Sequence, residues 1–161
     1  MNKVILLEKL SEFTERATKD IIMPTMPTKE SPGPYSRAAE VHKMRLPDSS
    51  AAKKKAPYII HQVITGKDAQ PSGQREEAQA VVRSIFSVYN EDEQEGALML
   101  LNLMERLRIE LLKSVVIGKQ FTLDLEVGIE ILIVPDDTAP FYSGEMVSTW
   151  KLPNVEREVI L

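Results

Sequence analysis

Two histidines are the first residues of this sequence whose types could do chemistry. His42 and His61 could pair as metal ligands or supply a general base, since a neutral imidazole serves both purposes near neutral pH. Each lies in the middle of a strand-like segment, and no Asp or Glu stands at a spacing that recommends a catalytic pairing. We therefore interpret both histidines as ordinary sheet residues or salt-bridge partners.

Two groups of acidic residues could bind a cation. Asp136 and Asp137 with Glu145 offer the oxygen ligands that hard divalent cations prefer, but acids in loops beside prolines are usually solvated turn residues. A denser acidic cluster precedes an apolar run and consists of Glu91, Asp92, Glu93 and Glu95. The dipole of a helix stabilises carboxylates at its start, which explains the cluster without a ligand. We predict no metal site.

The aromatic residues and the short motifs give no sign of catalysis. Trp150 and Tyr142 could stack on a sugar or a base, but aromatic side chains also cover sheet faces, and we favour that role. The GxGxxG, GxxxxGK[ST] and GxSxG patterns are absent. Cysteine is absent as well, which removes thiolate metal sites and cysteine nucleophiles. We predict a protein that is not an enzyme and needs no cofactor.

The size and composition are typical of a globular domain. The chain has 161 residues, of which 43% are hydrophobic and 27% charged, so it can build a packed core. The first apolar run ends at a charge after four residues, too soon for a signal peptide, and no run approaches the roughly 20 residues that span a bilayer. We expect a soluble, cytoplasmic protein without disulfides.

Charge is distributed unevenly along the chain. Residues 1–56 have a net charge of +4, whereas residues 57–161 have a net charge of −8. The acidic part argues against binding to a phosphate backbone as the main task, because such binding needs clustered cations. The basic first third could be a small nucleic-acid arm or a solvated linker, and its scattered cations without interleaved aromatics favour the linker.

Hydrophobic periodicity gives the order helix, strands, helix, strands. The predicted elements are a helix from Lys3 to Thr18, strands at 40–46, 58–64, 80–89, 121–125, 129–134 and 146–152, and a long helix from Asn90 to about Val115. Asn90 is the predicted N-cap, with Glu93 completing an approximate capping box. This order predicts an α+β fold, in which a mainly antiparallel sheet of four to six strands packs on the long helix and the N-terminal helix.

The long helix carries two apolar stripes. One contains Leu100, Leu103, Met104, Leu107 and Leu111, and the other contains Leu98, Leu101, Ile109 and Leu112. A helix that is apolar on more than one side must be covered on more than one side. We expect the additional cover to come from the N-terminal helix or from another subunit.

Three stretches, taken together, resemble a known family. A strand at 57–63 comes first, a second strand runs into 89–96 and the long helix, and the run 140–145 leads to Trp150 and Pro153. The helix between them bears Asn102, Glu105, Arg106 and Arg108. In order and spacing, residues 55–158 resemble the tail terminator (tail completion) proteins of long-tailed bacteriophages and of related prophage tails.

The resemblance implies a structural protein of the virion, made in the host cytoplasm. Such a subunit assembles as a homohexameric ring that caps the tail tube, stops its polymerisation and meets the head connector or neck proteins. DNA passes through the channel without specific binding, and no membrane is involved. The alternatives are another neck component, such as a head-completion or adaptor protein, and an acidic host-directed binding module.

The division of the chain and its candidate contact residues follow from the same interpretation. Residues 1–56 form an arm-like segment with a helix, a proline-rich stretch, a strand and a basic loop, and residues 57–161 form the terminator-like core, within one structural domain overall. Two long polar loops are expected to contact neighbouring subunits or partners. Their candidate contact residues are Lys53, Lys54, Lys55, Lys67, Asp68, Gln74 and Arg75.

Overall fold

A computed structural model describes residues 2–30, 32–47, 55–134 and 138–158 of the chain. The elements in these ranges are, in chain order, α1 (Lys3–Thr18), β1 (Met23–Pro24), β2 (Ser36–Arg37), β3 (Glu40–Lys43), β4 (Tyr58–Ala69), β5 (Glu77–Tyr89), α2 (Glu93–Ser114), β6 (Val116–Ile117), β7 (Phe121–Leu123), β8 (Ile129–Ile133) and β9 (Phe141–Leu152). Lys53, Lys54, Asp136 and Asp137 lie outside the described residues.

One sheet organises the described chain. Its strand order is β3-β4-β5-β9-β7-β6, and β8 pairs with β9 on the same side as β7. Neighbouring strands are antiparallel except β3 and β4, which are parallel. The predicted α+β class, with a mainly antiparallel sheet and two helices, is confirmed. The sheet has seven strands within these ranges, because β6 and β7 add pieces of two and three residues.

Both helices pack on one face of this sheet. α2 contacts β5 and β9, and α1 lies beside α2 over β3 and β4. The predicted stripe of α2 that runs from Leu100 to Leu111 is buried throughout, and Leu103, Met104 and Leu107 are fully inaccessible to solvent. Phe86 and Trp150 face it from the sheet and are equally inaccessible. The core forms here because every second residue of β5 and β9 points to the helices.

A smaller apolar cluster covers one end of the opposite face. It consists of Leu46, Ala56, Tyr58, Ile60 and Tyr89. Leu46 reaches it from the segment that follows β3, so the chain before residue 57 contributes to both faces of the sheet. On the helical side, Leu6 and Leu10 of α1 belong to the main core.

The β4–β5 hairpin is longer than predicted. The predicted strands covered only 58–64 and 80–89 and left the residues between them as a connection, but Lys67 pairs with Gln79 and Asp68 with Ala78. The connection is therefore only 70–76, after a β-bulge between Val63 and Thr65. The prediction failed because a strand exposed on both sides loses the alternation that marks a half-buried strand.

The start of α2 is also corrected. The N-cap is Asp92, whose Oδ1 accepts hydrogen bonds from the backbone amides of Gln94 and Glu95, at 3.0 and 3.1 Å. Asn90 instead accepts a bond from the Asp92 amide and forms a turn before the helix. Glu93 is then the first helical residue, so it cannot close a capping box with Asn90.

Candidate functional site

The predicted contact residues do not form one patch. Lys55 lies just before β4, where its backbone carbonyl accepts a hydrogen bond of 2.7 Å from the Arg37 guanidinium. Lys67 and Asp68 lie near the far end of β4, and Gln74 and Arg75 lie in the connection that follows. Lys67 lies nine residues beyond Tyr58 along β4, so the strand places the two groups about 30 Å apart. The two predicted loops therefore serve different ends of the molecule.

A shallow groove of about 390 Å³ lies at the tip of the β4–β5 hairpin. The segment after β9 forms one wall of the groove, and Arg157 makes an ion pair of 2.5 Å with Glu76 and a hydrogen bond to Gln70. Asp68 and Glu156 make the lining acidic. These contacts tie the chain after β9 to the hairpin tip.

His61 is a buried structural residue. Its side chain is fully inaccessible, and its Nε2 and Nδ1 lie 2.8 Å from Thr14 Oγ1 and 2.7 Å from Ser84 Oγ. Thr14 already donates its proton to the Leu10 carbonyl, so it accepts from Nε2–H, and Ser84 donates to Nδ1. Burial lowers the pKa of His61 to about 3, so the ring is neutral at pH 7.

His42 and the acidic residues that could do chemistry also make contacts within the fold. His42 lies 3.2 Å from the Glu40 carboxylate on β3. It pairs with Ile60, the residue before His61, so the two histidine side chains point to opposite faces of the sheet. The described ranges contain no group of three or more His, Asp or Glu side chains arranged to hold a metal ion. Glu91 accepts a 2.7 Å hydrogen bond from Tyr89, and this bond is the main cause of a raised pKa for that phenol.

Trp150 and Tyr142 lie on the helical face of β9. Trp150 is fully buried and donates a 2.9 Å hydrogen bond to Ser148, so it covers the sheet as expected. The Tyr142 ring lies so close to α2 that a Cβ atom at Gly96 would be 2.2 Å from its Cε2. Burial, together with Glu93 and Asp92, raises the pKa of Tyr142. Both rings are used in packing the helix onto the sheet.

The three stretches that carry the family resemblance meet at one end of the sheet. Tyr58 pairs with Ser87, Tyr89 pairs with Phe141, and the Asn90 amide donates a 2.9 Å hydrogen bond to the Pro140 carbonyl. The aromatic rings of Tyr89 and Phe141 lie 5.5 Å apart. Segments that are distant in the sequence therefore build one corner from which α2 starts.

The first lateral edge of the sheet is formed by the short strand β6 and the longer strand β8. β8 pairs with β9 on one side, and no strand of the described ranges pairs with its other side. Leu132 is 61% exposed, and its neighbours Ile133 and Val134 are exposed as well. An edge strand with free backbone groups and apolar side chains is a site for association. The strand itself was predicted from the sequence, but its position at an edge was not.

The second lateral edge is formed by β3 and the outer half of β4. β3 ends at Lys43, and beyond Val63 no strand in the described part of the chain lies beside the outer side of β4. Ile64 and Met44 expose 46% and 43% of their surfaces here. The two edges of the sheet therefore differ in sequence and shape, and both expose apolar residues.

The outer face of α2 is a third apolar surface. Leu98, Leu101, Ile109 and Leu112, which we call the outer stripe, are all exposed, and Leu98 is 54% accessible. α1 packs beside α2, and Arg106 donates to the Ala17 carbonyl and to Asp20 of the α1 end. α1 nevertheless leaves the outer stripe uncovered. Of the two expected sources of cover, the N-terminal helix and another subunit, the helix therefore does not reach this stripe within the described ranges.

Comparisons with known proteins identify neither a family nor a function for this chain. No family model and no curated protein matches the chain. Among solved structures 29 chains match. One of them, whose name is a catalogue number without a stated function, is 10% identical, and the alignment covers 96% of this chain and 95% of that one at a TM-score of 0.49. No helix in the described ranges is long and apolar enough to cross a bilayer.

Proposed function

We propose that this protein is a tail terminator of a bacteriophage or prophage tail. In this role six copies form a ring that caps the tail tube, stops its polymerisation and presents a surface to the head connector or neck proteins. The protein acts in the virion after assembly in the host cytoplasm, and it needs neither catalysis nor a cofactor. The resemblance of residues 55–158 to that family suggests the role.

The observation that carries the proposal is the pair of unlike apolar edges of the sheet. Leu132 lies at the β8 edge, and Ile64 lies at the β3–β4 edge. A contact between two different surfaces is heterologous, and repetition of such a contact gives a closed ring when the rotation between subunits closes. A subunit with two unlike apolar edges therefore has what ring formation requires.

The charge of the chain fits a path for DNA through such a ring. Residues 57–161 have a net charge of −8, and in the proposed ring some of their carboxylates line the channel. A wall of this charge repels the phosphate backbone, and the DNA passes without being held. Some acids have other tasks, since Asp92 caps α2 and Asp124 accepts hydrogen bonds from the Glu126 and Val127 amides.

The test uses one lysine substitution at each edge. We expect the wild-type protein to form rings of six by light scattering and negative-stain microscopy, and Leu132→Lys and Ile64→Lys each to prevent ring formation. Ile22→Lys is the matched control, because Ile22 is 58% exposed between α1 and β1 and lies in neither edge. A control that loses the rings as well would contradict the assignment of the edges.

Mixing the two edge variants tests the heterologous contact itself. The Leu132→Lys protein keeps an intact β3–β4 edge, and the Ile64→Lys protein keeps an intact β8 edge. An equimolar mixture can therefore form one good contact per pair, and we expect dimers that do not close into rings. In a tube assembly assay the wild type should stop polymerisation, whereas neither variant should. Rings of twelve would favour an adaptor, and a stable wild-type monomer would favour the acidic binding module; either result overturns the proposal.

A further inference from the structure

The outer stripe of α2 has a symmetric spacing. Leu98, Leu101, Glu105, Ile109 and Leu112 follow one another at intervals of three, four, four and three residues. These positions lie within a narrow arc of the helix surface, because each step returns close to a full turn. The series is the same in both directions along the helix, and Glu105 is at its centre.

A symmetric stripe on a helix is complementary to itself in the antiparallel direction. When two copies of α2 lie antiparallel with the Glu105 residues adjacent, Leu98 faces Leu112 of the other copy and Leu101 faces its Ile109. Each exposed apolar residue then meets an apolar residue over a length of about 21 Å. In a parallel arrangement, Leu98 would instead meet Leu98 and each charge would meet the same charge.

The charges at the centre are also self-complementary. Arg108 donates two hydrogen bonds to one Glu105 carboxylate oxygen, from Nε at 2.8 Å and from Nη2 at 2.5 Å. Around a two-fold axis at Glu105, two carboxylates and two guanidinium groups come together with no net charge. Arg108 lies one turn from Glu105, so it can reach the carboxylate of either copy. A polar group inside an apolar helix pair fixes the register.

We propose that the outer stripe of α2 binds a second copy of this chain as an antiparallel helix pair with a two-fold axis at Glu105. This contact is separate from the proposed ring, because neighbours in a six-membered ring are related by a rotation that is not two-fold. The pair therefore joins free copies, or copies of two different rings, through a surface that the two sheet edges do not use.

Cysteine crosslinking tests the pair directly, because the chain contains no cysteine of its own. A disulfide requires Cα atoms about 4.4–6.8 Å apart, a separation reached only by residues that face each other in the pair. We expect Glu105→Cys to form a disulfide-linked dimer under mild oxidation. Glu15→Cys, at an exposed position of α1, is the control for random collisions and should stay monomeric at the same concentration.

A second pair of variants keeps Glu105 and its partner Arg108 unchanged. Leu98→Cys and Leu112→Cys should each remain uncrosslinked alone and should form a disulfide heterodimer when mixed. A Leu98→Cys homodimer would show that the two helices are parallel. The absence of a crosslink in every arm would show that another partner, or no partner, covers the stripe. Either result overturns the inference. If rings form without these crosslinks, the helix pair is wrong and the proposed function stands. If the crosslinks form without rings, the proposed function is wrong and the helix pair stands.

Discussion

Buried His61 should make the protein sensitive to mild acid. Burial lowers the pKa of its ring from 6.5 to about 3 in the folded state, whereas an unfolded chain keeps the ordinary value. Below pH 6.5 the unfolded state therefore binds a proton that the folded state does not. Stability from this residue is complete above pH 6.5 and is lost as the pH falls towards 3.

The size of the effect follows from the same two pKa values. Each pH unit below 6.5 costs about 1.4 kcal/mol, so the free energy of unfolding should fall by about 2 kcal/mol between pH 7 and pH 5 from this residue alone. The full loss would approach about 5 kcal/mol near pH 3. Typical domains are stable by about 5–15 kcal/mol, so the change at pH 5 is readily measurable.

The assay compares urea denaturation of the wild type and His61→Gln at pH 7 and pH 5. Other titrating groups are common to both proteins, so the difference between their pH effects isolates the histidine. The variant should be less stable at pH 7, because one buried hydrogen bond is lost, but it should lose about 2 kcal/mol less than the wild type on acidification.

Ser84→Ala is the matched control for this experiment. It removes the hydroxyl that lies 2.7 Å from Nδ1 but keeps the buried imidazole. Because burial is the cause of the lowered pKa, this variant should be destabilised by about 1 kcal/mol at both pH values and should keep the wild-type pH dependence. Equal pH dependence of the wild type and His61→Gln would refute the reasoning.

Three further predictions concern how α2 is placed on the sheet, and urea unfolding tests each of them. Gly96→Ala should destabilise by about 1–3 kcal/mol despite the better helix propensity of alanine, because the new Cβ would be 2.2 Å from the Tyr142 ring; a gain in stability would show that the ring moves aside. Asp92→Ala should cost about 1 kcal/mol and more than Asn90→Ala, since Asp92 accepts the two amide bonds of the cap; the reverse order would place the helix start at Asn90. Leu107→Ala should cost about 2–5 kcal/mol, because its side chain is fully buried between helix and sheet, and a smaller loss would mean that the core refills the cavity.

Much of the helical core could be predicted from the sequence alone. The spacing of Leu100, Leu103 and Leu107 gave the buried face of α2, and the alternation of Met146, Ser148 and Trp150 gave the buried face of β9. Both patterns are local, because the spacing of apolar residues within a single helix or strand matches the period of that element and so marks the face that it buries. The α+β class follows from the order of such segments, and it did not require knowledge of how the strands pair.

The tertiary structure decided which strands lie at the edges and which stripe of α2 is left uncovered. The sequence could not show that Lys67 continues a strand, because its partner Gln79 pairs with it from across a connection and neither side chain is fully buried. Leu132 and Leu98 have the residue type of a core, and only their neighbours in space show that nothing in the described chain covers them. The periodicity of a segment records that a face is apolar, whereas burial of that face depends on contacts between residues that are distant in the sequence.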